Sequence, residues 1–537
     1  MREKIEQAVK AALPGVAFVV ERPRALEHGD YSTNAALVGK VDPNELSSKL
    51  RSLLSSNEVE KIEVVGKFIN FFLSREELTP KEQKIPQLYA GKKILLEKSA
   101  PNLFKPFHVG HLLNLSVGES LSRLMRALGG EVVDVAYPSD ISLGVAKAVW
   151  VGLKEGVEPS DVHTLGKWYV EGTKIYDENE QAKAEIIKIN QQLNDEEAGP
   201  ALELYKKGRE LNLAYFKDIT TRLGSAFSDY FFESEAGKIG KDIVQSHIGS
   251  VFEKSDGAVV FPGEKYGLHT RVFLTSLGLA IYEAKDIGLL KLKFDKYNPD
   301  LSLVITDVEQ KQYFEVVKKA AELIEPRWAQ HSTYWQHGRM RFVGGKISSR
   351  YGNVPLAEDM IEAVKERIRA KFGESGKFAD DKEKGERITE EVALGAIKYS
   401  FLKSSSGHNI VFDFDQAVAF EGGSGPYLQY ALVRARSLLK KASGATVAQF
   451  VTPQSSTLER VLIHFSEVVA RAAGEMEPHY VVTYLTELSS AFNGWYATER
   501  AIVDGVIAGH TLSLIKATEH TLAQGLALLG IPTPEEM

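Results

Sequence analysis

The feature that most constrains the fold is a strand–helix–strand pattern early in the chain. Residues 93–97 (KILLE) form a short apolar run typical of a buried strand, and residues 131–137 (EVVDVAY) form a second one. From His111 onward the apolar side chains repeat at helical spacing, at Leu121, Leu124, Met125 and Leu128. Two consecutive glycines then end the predicted helix. Strands joined in this way pair in parallel with a right-handed crossover, so the pattern predicts an open parallel sheet.

The same sheet pattern resumes later in the chain. Residues 301–306 (LSLVIT) predict a strand, residues 310–324 the helix behind it, and residues 356–372 a further helix. The charge-rich residues 151–250 are helical in pattern and interrupt the sheet as an insertion. We therefore expect one parallel-sheet domain over residues 86–385.

The two ends of the chain predict different domains. Residues 1–85 combine amphipathic helices with a strand-like segment at 62–73, which predicts a small α/β domain. Residues 386–537 are mostly helical in pattern and predict an α-helical bundle. The predicted fold class is multidomain α/β plus α: a Rossmann-like parallel-sheet domain with a helical insertion, a small α/β N-terminal domain and a C-terminal helical bundle. The length of 537 residues fits three or four domains.

Composition excludes several classes of function. The chain contains no cysteine, which excludes disulfides, thiolate catalysis and cysteine-ligated zinc and fits the cytosol. No run approaches the ~18 consecutive apolar residues that a membrane span needs, so we expect no membrane partner. The formal net charge of −7 gives no general attraction to nucleic acid, so such a partner would have to meet local basic faces.

The loop after the first strand is the first candidate site. Residues 99–111 (SAPNLFKPFHVGH) lie where an open parallel sheet binds ligands, and they lead into a helix N-terminus that favours an anion. Gly110 allows a ligand to approach the backbone closely. His108 and His111 share a face, and with Lys105 they suit a polyphosphate. Their spacing equally allows a structural histidine pair, whereas zinc would need a third ligand and the metalloprotease spacing is four rather than three.

A second, basic loop lies between a predicted strand and a predicted helix at residues 344–353 (GGKISSRYGN). Lys346, Ser348 and Arg350 are its candidate phosphate contacts, because basic loops of this kind can close over phosphates and stabilise charge in a transition state. An ordinary solvated turn is the alternative that this loop alone leaves open.

Together the two loops resemble the two signatures of class I aminoacyl-tRNA synthetases, written HIGH and KMSKS. Residues 108–111 (HVGH) match the first signature with one conservative change. Residues 346–350 (KISSR) match the second, with Ser349 in place of its second lysine. The resemblance implies that Lys105, just before the first signature, substitutes for that lysine.

The sequence around the signatures resembles that of arginyl-tRNA synthetase in particular. Residues 99–111 and 419–431 (AFEGGSGPYLQYA) are similar to that family's catalytic and helical domains. Residues 29–37 (GDYSTNAAL) and 66–73 (GKFINFFL) are similar to its extra N-terminal domain. The resemblance covers almost the whole chain, and three separate domains agree.

The resemblance implies an enzyme that ligates L-arginine to tRNA(Arg) with ATP and Mg²⁺, through an arginyl-adenylate, releasing AMP and pyrophosphate. It implies that adenylate formation needs tRNA, that residues 1–85 bind the D-loop, and that residues 386–537 bind the anticodon. It assigns catalytic charge stabilisation to His108, His111, Lys105 and Lys346. It assigns ATP binding to Gly110, Lys346, Ser348 and Arg350. We expect a cytoplasmic monomer with no resident metal.

A pocket for arginine needs a carboxylate, because the planar guanidinium pairs with acids in a fork geometry. Glu97 ends the first predicted strand and is well placed for this. Tyr282 and Asp286 lie four residues apart in a helical segment and share a face, although a routine surface pair would have the same spacing. By resemblance, Tyr282, Asp286 and Gln310 hold the substrate, and Asn102 contacts its amino-acid end.

Aromatic and basic residues on a predicted helix are the candidates for tRNA contact. Arg434 begins a basic stretch whose phosphate contacts would position the RNA, and Tyr427 and Tyr430 are candidates for stacking on anticodon bases. Core packing is an equal alternative for Tyr430. By resemblance, Asn34 touches the D-loop.

Two other functions stay open at this point. Another class I synthetase, such as the cysteinyl or glutaminyl enzyme, would share the signatures, although the lack of cysteine disfavours the zinc-dependent cysteinyl kind. A non-catalytic RNA-binding paralogue would share the domains. The intact catalytic set argues against it: His108, His111, Lys105 and Lys346.

Overall fold

The computed structural model describes residues 1–23, 25–81, 83–344, 355–378, 380–449 and 455–537. These residues form two compact units, each built from several stretches of chain. The first unit contains Met1–Lys84, Tyr430–Val468 and Tyr484–Gly525. The second unit contains Ile85–Gln429, Val469–Thr483 and Leu526–Met537.

The N-terminal part of the first unit is an antiparallel sheet packed against helices, with strand order β1-β2-β4-β3. The strands are β1 (Val20–Glu21), β2 (Tyr31–Thr33), β3 (Val59–Val65) and β4 (Phe68–Leu73). The helices are α1 (Arg2–Ala12), α2 (Ala35–Gly39), α3 (Pro43–Leu53) and α4 (Arg75–Leu78). Ile5, Leu50 and Phe71 are fully buried in their common core.

The single strand predicted over residues 62–73 is wrong. The structure has a hairpin there, because β3 and β4 pair antiparallel with Val65 opposite Phe68. Gly66 lies in the turn with a φ of +62°, a left-handed conformation that glycine adopts without steric strain. A glycine between two apolar runs is a hairpin signal that the continuous apolar pattern concealed.

The second unit contains ten strands among the residues described. They are β5 (Lys93–Ser99), β6 (Glu131–Ala136), β7 (Asp229–Tyr230), β8 (Glu253–Ser255), β9 (Ala258–Phe261), β10 (Arg271–Leu274), β11 (Leu301–Asp307), β12 (Ser332–His337), β13 (Met340–Val343) and β14 (Ile410–Asp413). Five of them form a parallel sheet in the order β12-β11-β5-β6-β7. The strands β8, β9 and β10 form a separate antiparallel sheet, and β13 pairs with β14.

Helices flank this sheet and follow it in the chain. They are α5 (Val109–Ala127), α6 (Leu143–Glu155), α7 (Val162–Glu178), α8 (Glu180–Asn194), α9 (Pro200–Arg222), α10 (Glu233–Ser246), α11 (Tyr282–Tyr297), α12 (Lys311–Ile324), α13 (Pro326–Gln330), α14 (Ala357–Glu374), α15 (Lys382–Leu402) and α16 (Phe414–Ala417). Helices α6 to α9 share one core, which includes Val149, Leu165 and Ile186.

Helix α5 lies directly on the central strand β5. A Cβ at Gly118 would come within 2.2 Å of the Cβ of Lys98, so only glycine allows this approach of helix to strand. The helix begins at Val109, two residues before the helical pattern that the sequence predicted from His111. The close packing fixes the N-terminus of α5 above the carboxyl end of β5.

The rest of the chain is mainly helical. Its helices are α17 (Gly425–Ala442), α18 (Thr457–Leu462), α19 (Phe465–Gly474), α20 (His479–Thr498) and α21 (Gly509–Leu528). Its strands are β15 (Thr446–Ala448), β16 (Ile502–Val503) and β17 (Val506–Ala508), which form a small sheet in the order β15-β17-β16. This small sheet is absent from the sequence-based prediction of a helical bundle.

Candidate active site

A cavity of about 630 Å³ lies in the second unit, beyond the carboxyl ends of β5, β11 and β12. This is the position at which open parallel sheets bind ligands. Eight of the residues predicted from the sequence line it: Glu97, Asn102, His108, Gly110, His111, Tyr282, Asp286 and Gln310. The structure therefore brings together residues that lie up to 213 positions apart in the sequence, from Glu97 to Gln310.

The N-terminus of α5 is capped by its two histidines. His108 is the N-cap residue, and its Nδ1 accepts hydrogen bonds from the backbone N–H groups of Gly110 (3.1 Å) and His111 (3.4 Å). In return, Nδ1 of His111 accepts from the backbone N–H of His108 (3.4 Å). The two rings stack with centroids 3.6 Å apart. A Cβ at Gly110 would lie 3.0 Å from the His108 ring, so glycine makes room for this arrangement.

Both imidazoles are neutral at physiological pH. Burial, with a smaller contribution from Lys105, lowers the pKa of His108 to about 4. Burial also holds the pKa of His111 well below its usual value, with His108 and Lys105 adding to the effect. Because each Nδ1 accepts a hydrogen bond, the single ring proton lies on Nε2. The pair thus offers two N–H donors instead of two positive charges.

Two buried carboxylates of the cavity are paired with lysines. Glu97, at the end of β5, accepts a 2.5 Å hydrogen bond from Nζ of Lys293 on α11. Glu233, the first residue of α10, accepts one of 2.5 Å from Nζ of Lys285, which also donates to the Ile141 carbonyl (2.7 Å). The negative charges of these two acids are therefore largely balanced inside the protein.

Asp286 differs from these two acids, because its hydrogen-bond partner is a neutral phenol. The hydroxyl of Tyr313 on α12 donates to Asp286 Oδ2 at 2.5 Å. Burial raises the pKa of Asp286 to about 7, and the nearby Glu97 adds to the rise. Such a carboxylate favours the arrival of a cation, which would stabilise its charged form.

The other predicted contacts of arginine line the same cavity as Asp286. Tyr282 begins α11, and its side chain is 53% exposed, so it can turn toward a ligand. Gln310 precedes α12, and its Oε1 accepts a hydrogen bond from the Thr306 hydroxyl. Asn102 forms a parallel bridge with Ser139. These polar side chains supply hydrogen-bonding groups in the same cavity as the carboxylate of Asp286.

Lys105 is not among the residues that line the cavity in the described part of the chain. Its Nζ lies over the ring of Tyr169 on α7, 3.8 Å from the ring centroid. A lysine held only by a cation–π contact can be redirected to a phosphate, since such a contact contributes about 0.5–2 kcal/mol. The predicted residues Lys346, Ser348 and Arg350 lie outside the described residues.

The predicted tRNA contacts lie on other parts of the molecule. In the first unit, Arg434 of α17 stacks on the rings of Tyr430 (4.7 Å) and Tyr496 (4.8 Å) and donates to Asn493 Oδ1. Asn34 accepts a hydrogen bond from the backbone N–H of residue 19, at 3.0 Å. Tyr427 belongs to the second unit and is partly exposed.

Several lining residues were missed from the sequence. Lys293 follows Asp286 by seven positions, so the helical spacing that paired Tyr282 with Asp286 extends to it. His337 ends β12, where its Nε2 lies 2.7 Å from Asn114 Oδ1, and the rule of carboxyl-end positions applied to each strand would have found it. Tyr137, Glu233, Tyr313 and Tyr334 also line the cavity.

Within residues 1–23, 25–81, 83–344, 355–378, 380–449 and 455–537, no group of three or more histidine, cysteine, aspartate or glutamate side chains is placed to hold a metal ion. Within the same ranges, no helix has the length and apolarity to cross a membrane.

Three family descriptions match successive parts of the chain. "tRNA synthetases class I (R), catalytic domain" matches residues 75–414, and "DALR anticodon binding domain" matches residues 428–537. "Arginyl tRNA synthetase N terminal domain" matches residues 1–73.

Individual proteins match over the full length. The arginine–tRNA ligase of Ligilactobacillus salivarius is 29% identical over 99% of this chain and 98% of its own length. That of Clostridium perfringens is 27% identical over 100% and 99%. The solved structure of Thermus thermophilus arginyl-tRNA synthetase is 25% identical, with a TM-score of 0.81, and the match covers 100% of this chain and 99% of that one.

The fold and the catalytic-domain match define a class I aminoacyl-tRNA synthetase, as the two signatures indicated. The matched catalytic domain is the arginine type and covers more than half of the chain. The chain therefore belongs to the arginyl-tRNA synthetase family, the enzymes that charge tRNA with arginine at the expense of ATP through an aminoacyl-adenylate. The predicted family, fold class and enzyme type are confirmed.

Proposed function

We propose that this protein ligates L-arginine to tRNA(Arg) and that both steps take place in the cavity beyond the carboxyl ends of β5, β11 and β12. The observation that carries the proposal is the combination, in one cavity, of a carboxylate with a raised pKa and a pair of neutral histidines at a helix N-terminus. The carboxylate suits the guanidinium, and the histidines with the helix N-terminus suit the phosphates.

Arginine binds with its guanidinium against Asp286. The partners of the two acids support the choice of Asp286 over Glu97. Glu97 is already paired with Lys293, whereas Asp286 is hydrogen-bonded to the neutral Tyr313. Glu97 then contributes to arginine binding indirectly, through its negative charge and by holding Lys293 in place. Tyr282 and Gln310 line the pocket around the guanidinium, and Asn102 contacts the amino-acid end, as the resemblance implies.

In the first step, a carboxylate oxygen of arginine attacks the α-phosphorus of Mg-ATP. The bond from that phosphorus to the bridging oxygen breaks, and pyrophosphate leaves with the electron pair. His108 and His111 donate Nε2–H hydrogen bonds to phosphate oxygens, where they stabilise negative charge without proton transfer. Lys105 and Lys346 supply positive charge at the leaving pyrophosphate, and Gly110, Ser348 and Arg350 contact the nucleotide.

In the second step, the 2′-hydroxyl of the terminal adenosine of tRNA attacks the arginyl carbonyl carbon. The new ester bond forms, the bond to the adenylate oxygen breaks, and AMP leaves. Asn34 contacts the D-loop, and Tyr427, Tyr430 and Arg434 contact the anticodon side. The stacking of Arg434 on two tyrosines supports this role, because the same planar groups stack on unpaired bases.

The proposal includes three further statements. Magnesium enters bound to the substrate ATP. The enzyme acts in the cytosol, where tRNA is charged for translation. It acts as a monomer.

Pyrophosphate exchange with a panel of amino acids, in the presence of total tRNA, tests the function. We expect exchange with arginine only. Exchange with glutamine and none with arginine would instead identify a glutaminyl-type enzyme. Tight binding of tRNA without charging by any amino acid would indicate a non-catalytic paralogue.

A further inference from the structure

The turn that leads into α5 is paired with the backbone just before α14. The Val109 N–H donates to the Pro355 carbonyl (3.0 Å), and the Ala357 N–H donates to the Phe107 carbonyl (2.9 Å). His108 and Leu356 form the antiparallel bridge between these bonds. The histidine that caps α5 therefore lies in a short two-stranded ribbon.

The hydroxyl of a tyrosine that is not part of this ribbon is hydrogen-bonded to residues next to both of its strands. The Phe107 N–H donates to Oη of Tyr215 (3.2 Å), and that hydroxyl donates to Oε2 of Glu358 (2.9 Å). Tyr215 belongs to α9, and Glu358 lies in the first turn of α14, where a carboxylate is favoured by the helix dipole. Burial and the adjacent Glu358 raise the pKa of Tyr215, so the hydroxyl stays protonated and keeps its donor.

Aromatic packing extends this contact to the catalytic histidines. The ring of Phe107 lies 5.1 Å from that of His111 and 5.9 Å from that of Phe216, the neighbour of Tyr215 on α9. His111 in turn stacks on His108. A shift of the backbone at Phe107 would therefore move both imidazoles and their Nε2–H groups.

We propose that Tyr215 is a positioning residue for the adenylation step: its hydroxyl, bonded to Phe107 and Glu358, holds the His108–His111 pair in the orientation that meets the phosphates. The inference rests on the proposed function, since the rate affected is that of arginine activation. It gives the helix α9 a part in catalysis although Tyr215 does not line the cavity. Displacements of about 1 Å at a reacting group lower rates by up to ~100-fold.

The test is Tyr215→Phe, which removes only the hydroxyl, measured by arginine-dependent pyrophosphate exchange with tRNA present. We expect kcat to fall by about tenfold or more, with the KM for arginine within about twofold, because the guanidinium pocket around Asp286 is untouched. Glu358→Ala should lower kcat in the same way, and the double variant should be no worse than either single one. Glu358→Gln retains an acceptor and should restore most of the rate.

Thr220→Val is the matched control, because it removes a buried hydroxyl from the same helix whose bonds run to the carbonyls of Phe216 and Lys217. Its kcat should equal that of the wild type. Active-site titration and thermal unfolding separate loss of folded enzyme from loss of rate. The inference is overturned if Tyr215→Phe keeps the wild-type kcat per titrated site, or if its KM for arginine rises by the same factor as kcat falls. A wild-type protein inactive with arginine would overturn the proposed function instead.

Discussion

The two faces of strand β5 differ in how their buried acidic side chains are paired with cations. Glu97 points to the α11 side, into the cavity, whereas the next residue, Lys98, points to the α5 side. There Nζ of Lys98 donates to Glu119 Oε2 (2.6 Å) and lies 3.3 Å from Asp134 Oδ2. Arg123 on α5 also donates to Glu119, at 2.7 Å. On this closed face, the buried acids Glu119 and Asp134 are each paired with cations.

The cavity face leaves part of its charge unmatched. Lys293 and Lys285 pair with two of its acids, whereas Asp286 accepts a hydrogen bond from the neutral phenol of Tyr313. On the closed face, the cation Lys98 keeps the pKa of Glu119 at about 2 despite burial. On the open face, burial raises the pKa of Asp286 to about 7. We infer that the paired charges stabilise the fold, whereas Asp286 is available to a cationic substrate.

The largest effect is expected on the closed face. Lys98→Met removes the buried cation and leaves Glu119 and Asp134 with the partly exposed Arg123 and Arg126 as partners. We expect the free energy of unfolding to fall by about 3 kcal/mol, the lower end of the range for a broken buried pair. Urea unfolding followed by tryptophan fluorescence measures the change. Lys291→Met is the control, because Lys291 on α11 is 44% exposed and pairs with exposed Asp295, a kind of pair that contributes less than about 1 kcal/mol. Equal stability of the two variants would contradict the claim that the buried pairing of Lys98 stabilises the fold.

The next effect concerns the histidine donors that we propose contact the phosphates. His108→Asn keeps a side-chain acceptor at the N-cap of α5 but removes the ring Nε2–H. We expect kcat of adenylate formation to fall on the order of 100-fold, as for loss of one transition-state donor, with unfolding changed by less than about 1 kcal/mol. Pyrophosphate exchange and urea unfolding measure the two quantities. A variant that loses stability but retains kcat would assign His108 to the fold alone.

A smaller effect is expected from pH. Because the pKa of Asp286 in the free enzyme is raised to about 7, the acid is protonated below that pH and charged above it. In the proposed function arginine binds to the charged carboxylate, so kcat/KM for arginine should fall by up to about tenfold per unit as the pH drops below 7. In Asp286→Asn this limb should disappear. A wild-type profile that is flat between pH 5.5 and 7.5 would contradict the assignment.

Much of the fold and part of the site follow from the sequence, because local patterns determine them. The βαβ unit was predicted because apolar runs and helical spacing are properties of neighbouring residues. The pairing of Tyr282 with Asp286 was predicted because i,i+4 spacing fixes a shared helix face. The histidine pair at 108 and 111 was found because residues three apart at a helix start also share a face, and because the pair matches a known signature.

Other features depend on contacts that distant parts of the chain make only after folding. The sequence suggested Glu97 as a candidate acid for the guanidinium, but it could not indicate that Lys293, 196 positions away, would pair with it. The bond from Tyr215 to Glu358 spans 143 positions and follows no local period. Lys105 was expected at the phosphates, and its contact with Tyr169 arises from the packing of α7.

The most direct test compares arginine with citrulline, its neutral isostere, as substrates of the wild type and of Asp286→Asn. Asparagine can still accept the hydrogen bond from Tyr313, so the variant removes the charge and little else. We predict that kcat/KM for arginine falls by about 100-fold, or ~3 kcal/mol, while that for citrulline stays the same or rises. Equal losses for arginine and citrulline would contradict the claim that Asp286 binds the guanidinium through its charge.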